Sequence, residues 1–198
     1  MENNHPEVVV EQENAQPAPR RHAWVSFMWE VLQTLLMAVI LYFLIDVVVG
    51  RVRVENISME PTLQEGQFIL VNKMAYRLGD FQRGDVVIFH YPRSPEEDYI
   101  KRVIGLPGDT VKVENGQVQV NGQVLDEPYI ASPPTYNSTW AVPEDQIFVL
   151  GDNRNRSSDS HSWGFVPVGM VVGKALVVYW PLDDLKILNQ TPGVSAAN

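Results

Sequence analysis

The stretch TVKVENGQVQVNGQVL, residues 110–125, alternates apolar and polar side chains and is broken twice by an Asn-Gly pair, Asn115-Gly116 and Asn121-Gly122. Alternation with a period of two belongs to half-buried strands. Asn-Gly is the strongest short-range hairpin signal, because both central residues of a type I′ turn need φ > 0. Residues 110–125 are therefore expected to form a three-stranded meander. Just before it, Leu106-Pro107-Gly108-Asp109 fits a type II turn, with Pro at the second position and Gly at the third. The same texture extends outward. Gln67–Val71, Asp85–Tyr91, Asp98–Ile104, Ile147–Gly151 and Met170–Trp180 are short runs rich in Val, Ile, Phe and Tyr. Residues 126–145 hold four prolines and read as an extended excursion, so that 110–145 forms a hairpin and extended insertion. Asn72–Leu78 is the candidate for a short helix. The fold class expected is mostly β.

Upstream the composition changes. Residues 1–22, rich in Asn, Gln, Glu, Pro and Ala, cannot bury an apolar face and read as a disordered arm. Val25–Val49 is interrupted strongly only by Glu30, Gln33 and Asp46, with no charge between Leu35 and Ile45. As a helix it is about 37 Å long, enough to cross a bilayer core. Trp24, Trp29 and Tyr42 suit the interfaces. The stretch is too long for the apolar part of a cleaved signal peptide, and no small-residue cleavage pattern follows it. It reads as a single transmembrane anchor over 23–50, followed by a β domain over 51–184 and a loose tail over 185–198. Arg20 and Arg21 precede the span and Arg51 and Arg53 follow it, so flanking charge leaves orientation nearly undecided; the large C-terminal body favours N-in, C-out.

Composition excludes several functions. The net charge is −9, and there is no basic stripe, which argues against nucleic acid as a partner. No cysteine is present, which removes disulfides, thiolate metal sites and a cysteine nucleophile.

Three stretches carry candidate chemistry. In Ser58-Met59-Glu60-Pro61-Thr62-Leu63, Pro61 keeps Glu60 out of the α region, so the chain turns or extends just past Ser58 and can present its hydroxyl and backbone N–H at an edge. An ordinary surface turn is the alternative. In Tyr99-Ile100-Lys101-Arg102-Val103-Ile104, strand alternation sets Tyr99, Lys101 and Val103 on one face and Ile100, Arg102 and Ile104 on the other. A lysine buried there would lose its proton well below the usual value of about 10.4, as a general base must. A lysine snorkelling at a sheet edge is the alternative. The third is the polar run from Gly151-Asp152-Asn153-Arg154 through Ser157, Asp159, Ser160 and His161 to Trp163-Gly164, either a structural loop or a wall that orients the lysine.

In order, SMEPTL at 58–63, RGDVVIF at 83–89, YIKRVIGLPGD at 99–109 and GDNRNRSSDSHSWG at 151–164 closely resemble the successive signature boxes of type I signal peptidases, over the chain from the anchor to about Trp180 and Pro181. The resemblance implies a membrane-bound Ser/Lys serine endopeptidase with a signal-peptidase-like β catalytic domain, needing no metal or cofactor. It implies Ser58 as nucleophile, Lys101 as base, Ser157 bonded to the lysine amine, Asp159 supporting that loop, and Asp152 and Arg154 holding its shape. The backbone N–H of Ser58 would be one oxyanion donor; the Asn56 amide is a candidate for the second, the alternative being that Asn56 simply turns the chain. The partners implied are preprotein signal peptides, membrane lipid and the secretion translocon; the sequence gives no oligomeric state, and a monomer is the default. The place implied is the extracytoplasmic side of a plasma membrane, with an organelle membrane such as the thylakoid as the alternative.

The chain departs from the family pattern at Asn56, where many relatives have Ser or Gly, at His161, where many have Arg, and at Asn155, which replaces a frequent Asp. Two rival enzymes are a self-cleaving repressor-type Ser/Lys peptidase, which would carry a DNA-binding module and no span, and a Ser/His peptidase using His161 or His90 as base. A membrane-tethered peptide-binding β domain is the non-enzymatic rival. Arg83-Gly84-Asp85 matches an adhesion tripeptide but fits better as the turn into the strand Val86–Phe89.

Overall fold

A computed structural model describes residues 20–188. The arm expected over 1–22 therefore lies outside the described residues as far as residue 19, and so does the tail beyond Leu188. Helix α1 spans Arg20–Val48, about 43 Å at the usual rise. It starts inside the expected arm, and every side chain from Trp24 to Val48 is exposed. Among the described residues it is the one helix long and apolar enough to cross a membrane. Residues up to Phe43 and residues from Leu44 onward form two separate compact units, and the sheets and the site described below belong to the second.

The strands follow in chain order: β1 (Val49–Arg53), β2 (Phe68–Asn72), then, after the single turn of helix α2 (Ala75–Leu78), β3 (Val86–Tyr91), β4 (Ser94–Gly105), β5 (Thr110–Glu114), β6 (Gln117–Val120), β7 (Gln123–Val124), β8 (Ser138–Ala141) and β9 (Gln146–Leu150). Helix α3 (Ser160–Trp163) precedes β10 (Val166–Pro167), β11 (Val171–Trp180) and β12 (Lys186–Ile187). The large sheet runs β1-β2-β11-β3-β4-β9-β10, with β12 also on β11, and the small sheet runs β7-β6-β5-β8.

The meander forms as its sequence predicts. Asn115 and Gly116, and Asn121 and Gly122, all have positive φ, as type I′ turns require. Val111 faces Val120 and Val113 faces Val118, so one face of the small sheet is apolar. That face packs on Ile104 of β4 and on Phe148 and Leu150 of β9. The meander gains a fourth strand, because Ser138–Ala141 of the proline-rich excursion pairs with β5. In the Leu106–Asp109 turn the Asp109 N–H donates to the Leu106 carbonyl at 3.0 Å and Gly108 has φ 81°.

Burial on both faces explains why the central strands read as unbroken apolar runs. Val86 and Ile88 of β3 enter one core cluster, while Val87 and Phe89 enter another on the opposite face. β9 divides in the same way, with Ile147 and Val149 on one side and Phe148 and Leu150 on the other. Two strand features matter for the site. β1 is an edge strand. The first part of β4 pairs with β3 alone, because β9 joins it only from Arg102 onward.

Candidate active site

Ser58 lies in the turn that follows β1. Its neighbours Met59 and Leu63 are sunk in the core beside Ile69, Val71 and Ile88, and the Leu63 N–H donates to the Met59 carbonyl at 2.8 Å. The apolar residues of the motif thus anchor the turn and leave Ser58 at its crest, 7% exposed. The Arg83-Gly84-Asp85 tripeptide is a turn as expected. Gly84 has φ 94°, and Asp85 is buried against Lys174 at 2.6 Å.

Lys101 of β4 reaches the serine from the neighbouring sheet edge. Its Nζ donates to Ser58 Oγ at 2.8 Å and to its neighbour's carbonyl, Ile100 O, at 2.9 Å. The Tyr99 ring, two residues back on the same face, lies 5.1 Å from Nζ. Lys101 is 2% exposed. Burial pushes its pKa down from 10.5 to about 8, and the charges of Asp159 and Asp152 keep it from falling further.

The next residue points the other way and is equally buried. Arg102 donates from Nε and Nη2 to the two oxygens of Asp152 at 2.8 and 2.6 Å, and from Nη1 to the Gly84 carbonyl at 2.8 Å. Its guanidinium sits 4.0 Å over the Tyr129 ring. The polar loop is braced from several sides. Arg154 donates to the Gly151 carbonyl and makes a two-bond pair with Glu127 at 2.8 and 2.6 Å. Asp159, wholly buried, accepts from the Gly151 N–H at 2.9 Å, caps α3 through the His161 N–H, and takes His161 Nδ1 at 2.6 Å. The Asn153 N–H donates to the Ser58 carbonyl at 3.0 Å, and Asn153 Nδ2 donates to the Ile57 carbonyl at 3.1 Å, tying the loop directly to the turn that carries Ser58. Gly151 permits this approach, since a Cβ there would collide with Ser157 and with the Ser58 carbonyl oxygen.

The residues singled out in the sequence come together with two differences. Ser157 Oγ is buried with no hydrogen-bond partner among the described residues, so the bond expected to the lysine amine is not formed. Asn56 meets Ser58 through its oxygen, not its amide. Oδ1 accepts from the Ser58 N–H at 3.2 Å and from Ser58 Oγ at 2.7 Å. Neither rival histidine is a hydrogen-bond partner of Ser58: His161 is held by Asp159 and stacked on Tyr136, and His90 pairs with Asp98. The sequence alone assigns no role in the site to Arg102, Glu127, Tyr129 or Asn153. Among the described residues no group of three or more His, Asp or Glu is placed to hold a metal ion.

A groove of about 830 Å³ opens beside Ser58 and Lys101. One wall is the chain from Arg51 to Ser58, the other the part of β4 from Glu96 to Lys101, with Arg156 and Ser158 of the polar loop at its rim. Both walls carry strand backbone with a free edge, the arrangement that accepts an extended peptide.

Residues 28–180 match the family model described as signal peptidase, peptidase S26. The chain is 43% identical to the probable signal peptidase I-2 of Synechocystis sp., over 91% of this chain and 84% of that protein. It is 42% identical to the signal peptidase I of Leptolyngbya laminosa, over 90% and 92%, and 41% identical to that of Bacillus caldolyticus, over 66% and 79%. A crystal structure of a signal peptidase I from Enterococcus faecalis aligns with 48% of this chain and 97% of its own, at 37% identity and a TM-score of 0.46.

Proposed function

This chain belongs to the signal peptidase family of peptidase S26 and is a serine endopeptidase, and we propose that it removes N-terminal signal peptides from exported preproteins with Ser58 as nucleophile and Lys101 as general base. The observation that carries the reading is the 2.8 Å contact between Lys101 Nζ and Ser58 Oγ, made by an amine whose burial brings its pKa to about 8. A base poised near the working pH combines a usable neutral fraction with enough proton affinity to take the serine proton.

The preprotein segment enters the groove extended, its backbone pairing with the free edges of β1 and β4. Neutral Lys101 takes the Ser58 proton as Oγ attacks the scissile carbonyl. The Ser58 N–H stabilises the oxyanion that forms. The lysine ammonium then gives its proton to the leaving amine, and the C–N bond breaks. A water deprotonated by the same amine attacks the acyl-serine, releases the carboxylate and restores the hydroxyl. Asp152, Arg154 and Asp159 keep the loop pressed against Ser58 and Lys101. Helix α1 anchors the enzyme in the membrane as a single span, its N-terminus inside and the β domain, residues 51–184, on the extracytoplasmic side of a plasma membrane. There the enzyme works as a monomer beside the translocon.

The test is cleavage of a labelled preprotein by the full chain in detergent, compared with Ser58→Ala and Lys101→Ala and read as product size. Cleavage at the signal-peptide boundary by wild type, lost in both variants, is expected. Cleavage surviving Lys101→Ala would remove the lysine from the mechanism. A folded wild type inactive on several preproteins would favour a tethered peptide-binding domain.

A further inference from the structure

Hydrogen-bond chemistry fixes where the Ser58 proton lies. A backbone N–H can only donate, so the Asn56 atom 3.2 Å from the Ser58 N–H is the carboxamide oxygen. The same oxygen lies 2.7 Å from Ser58 Oγ. A carboxamide oxygen can only accept, so the serine hydroxyl spends its one proton on Asn56. Lys101 therefore reaches Ser58 Oγ as a donor, and its other contact, to the Ile100 carbonyl, is also a donor's. Two donor bonds use both protons of a neutral amine and leave its lone pair aimed away from the serine. In this arrangement Ser58 and Lys101 touch, yet the proton that must move from one to the other faces a third group. That group also occupies the Ser58 N–H, which the scissile carbonyl needs.

We propose that Asn56 is a positioning residue that holds the free enzyme in check: its carboxamide oxygen occupies the oxyanion donor of Ser58 and keeps the serine proton away from Lys101 until a substrate carbonyl displaces it. Asn56 is exposed, so its side chain is free to swing out. Once the substrate carbonyl takes the Ser58 N–H, the hydroxyl loses its acceptor, and the acceptor that remains beside it is the Lys101 lone pair. Filling the oxyanion position and arming the base then become one event. An unoccupied site does not present an activated serine to water or to passing electrophiles. The inference rests on the Ser58/Lys101 reading above and goes beyond it, because it gives Asn56 a role as an acceptor in the free enzyme.

The experiment is steady-state cleavage of a preprotein by the full chain in detergent across pH, for wild type, Asn56→Ala and Asn56→Asp, with Ser58→Ala and Lys101→Ala alongside. Asn56→Ala removes the competitor for the Ser58 N–H, so KM falls about fivefold, the worth of one hydrogen bond. It also lets the free-enzyme hydroxyl donate to the neutral amine, so the acid limb of kcat/KM moves about half a pH unit lower while that of kcat stays in place. Asn56→Asp keeps the shape and strengthens the acceptor, so KM rises fivefold or more. An Asn56→Ala enzyme with lower kcat, unchanged or higher KM and an unmoved acid limb would make Asn56 an oxyanion donor and overturn the inference. So would an Asn56→Asp enzyme with wild-type KM. Cleavage persisting in Ser58→Ala or Lys101→Ala would instead sink the dyad itself, so the two failures are distinct.

Discussion

Replacing Lys101 with methionine should abolish cleavage and stabilise the protein. The folded chain holds this amine at a pKa of about 8, against 10.5 for an exposed lysine. Between those values the unfolded chain binds a proton that the folded chain does not. Stability therefore rises with pH from about 8 to 10.5, and below pH 8 the penalty is present in full. At 1.36 kcal/mol per pH unit the whole gap amounts to about 3 kcal/mol. Methionine fills nearly the same volume without the charge, so at pH 7 the Lys101→Met chain should be more stable than wild type by up to about 3 kcal/mol, less whatever the bonds to Ser58 and Ile100 contribute. For a chain of this length that is a rise in melting temperature of about 6–12 °C. The assay is thermal unfolding of both full-length proteins in the same detergent at intervals from pH 7 to 10.5. The difference should be largest at or below pH 8 and shrink steadily toward pH 10.5. Parallel curves across that range, or a Lys101→Met protein less stable than wild type at pH 7, would refute the claim that desolvation sets the basicity of this lysine.

Two neighbouring changes separate charge from shape. Asp159→Asn keeps the size of the group that caps α3 and removes a negative charge that favours the lysine ammonium, so the acid limb of the kcat/KM profile should move to lower pH. Arg102→Met strands the Asp152 carboxylate in the core and should cost about 3–5 kcal/mol in denaturant unfolding, whereas the double change Arg102→Met with Asp152→Leu should recover much of that loss.

What could be read from the sequence was what local chemistry determines. The two Asn-Gly turns, the Pro-Gly turn at 106–109 and the doubly buried runs of β3 and β9 follow from φ preferences and alternation, which act within a few residues. The sequence puts Val49 and Gly50, the first two residues of β1, at the end of the anchor because Val47-Val48-Val49 continues the apolar run, and composition does not distinguish the last turn of a helix from the first residues of an edge strand. β8 was hidden among prolines; it exists because β5 offers it an edge. The site divides along the same line. Ser58 and Lys101 are legible from their motifs and from the alternation of β4. The burial of Arg102 depends on Asp152, fifty residues onward, and that of Arg154 on Glu127, twenty-seven residues back. No local pattern announces such partners. Asn56 was recognised as unusual, but whether it faces Ser58 with its oxygen or its amide is decided by the turn that brings it there.

The contrast between Lys101 and Arg102 shows how adjacent cations of one strand can come to differ, one a fixed brace and the other the proposed base. Both are buried, and alternation turns them to opposite faces. Arg102 meets a carboxylate directly with two hydrogen bonds, so its charge is compensated where it stands and it serves as a fixed tie between β4 and the polar loop. Lys101 meets a hydroxyl and a carbonyl, both neutral, while the carboxylates of Asp159 and Asp152 act on it through their charge without bonding to it. Neutral acceptors satisfy the amine's hydrogens without stabilising its charge as a bonded carboxylate would, so desolvation prevails and the amine can lose its proton near pH 8. Were a carboxylate bonded to Lys101, the ammonium would persist well above that pH and the serine would have no base. Were both carboxylates absent, the pKa would fall further. The state of each cation thus follows from its partners more than from its side-chain type: burial lowers the basicity of Lys101, and the charges of Asp159 and Asp152 oppose that fall.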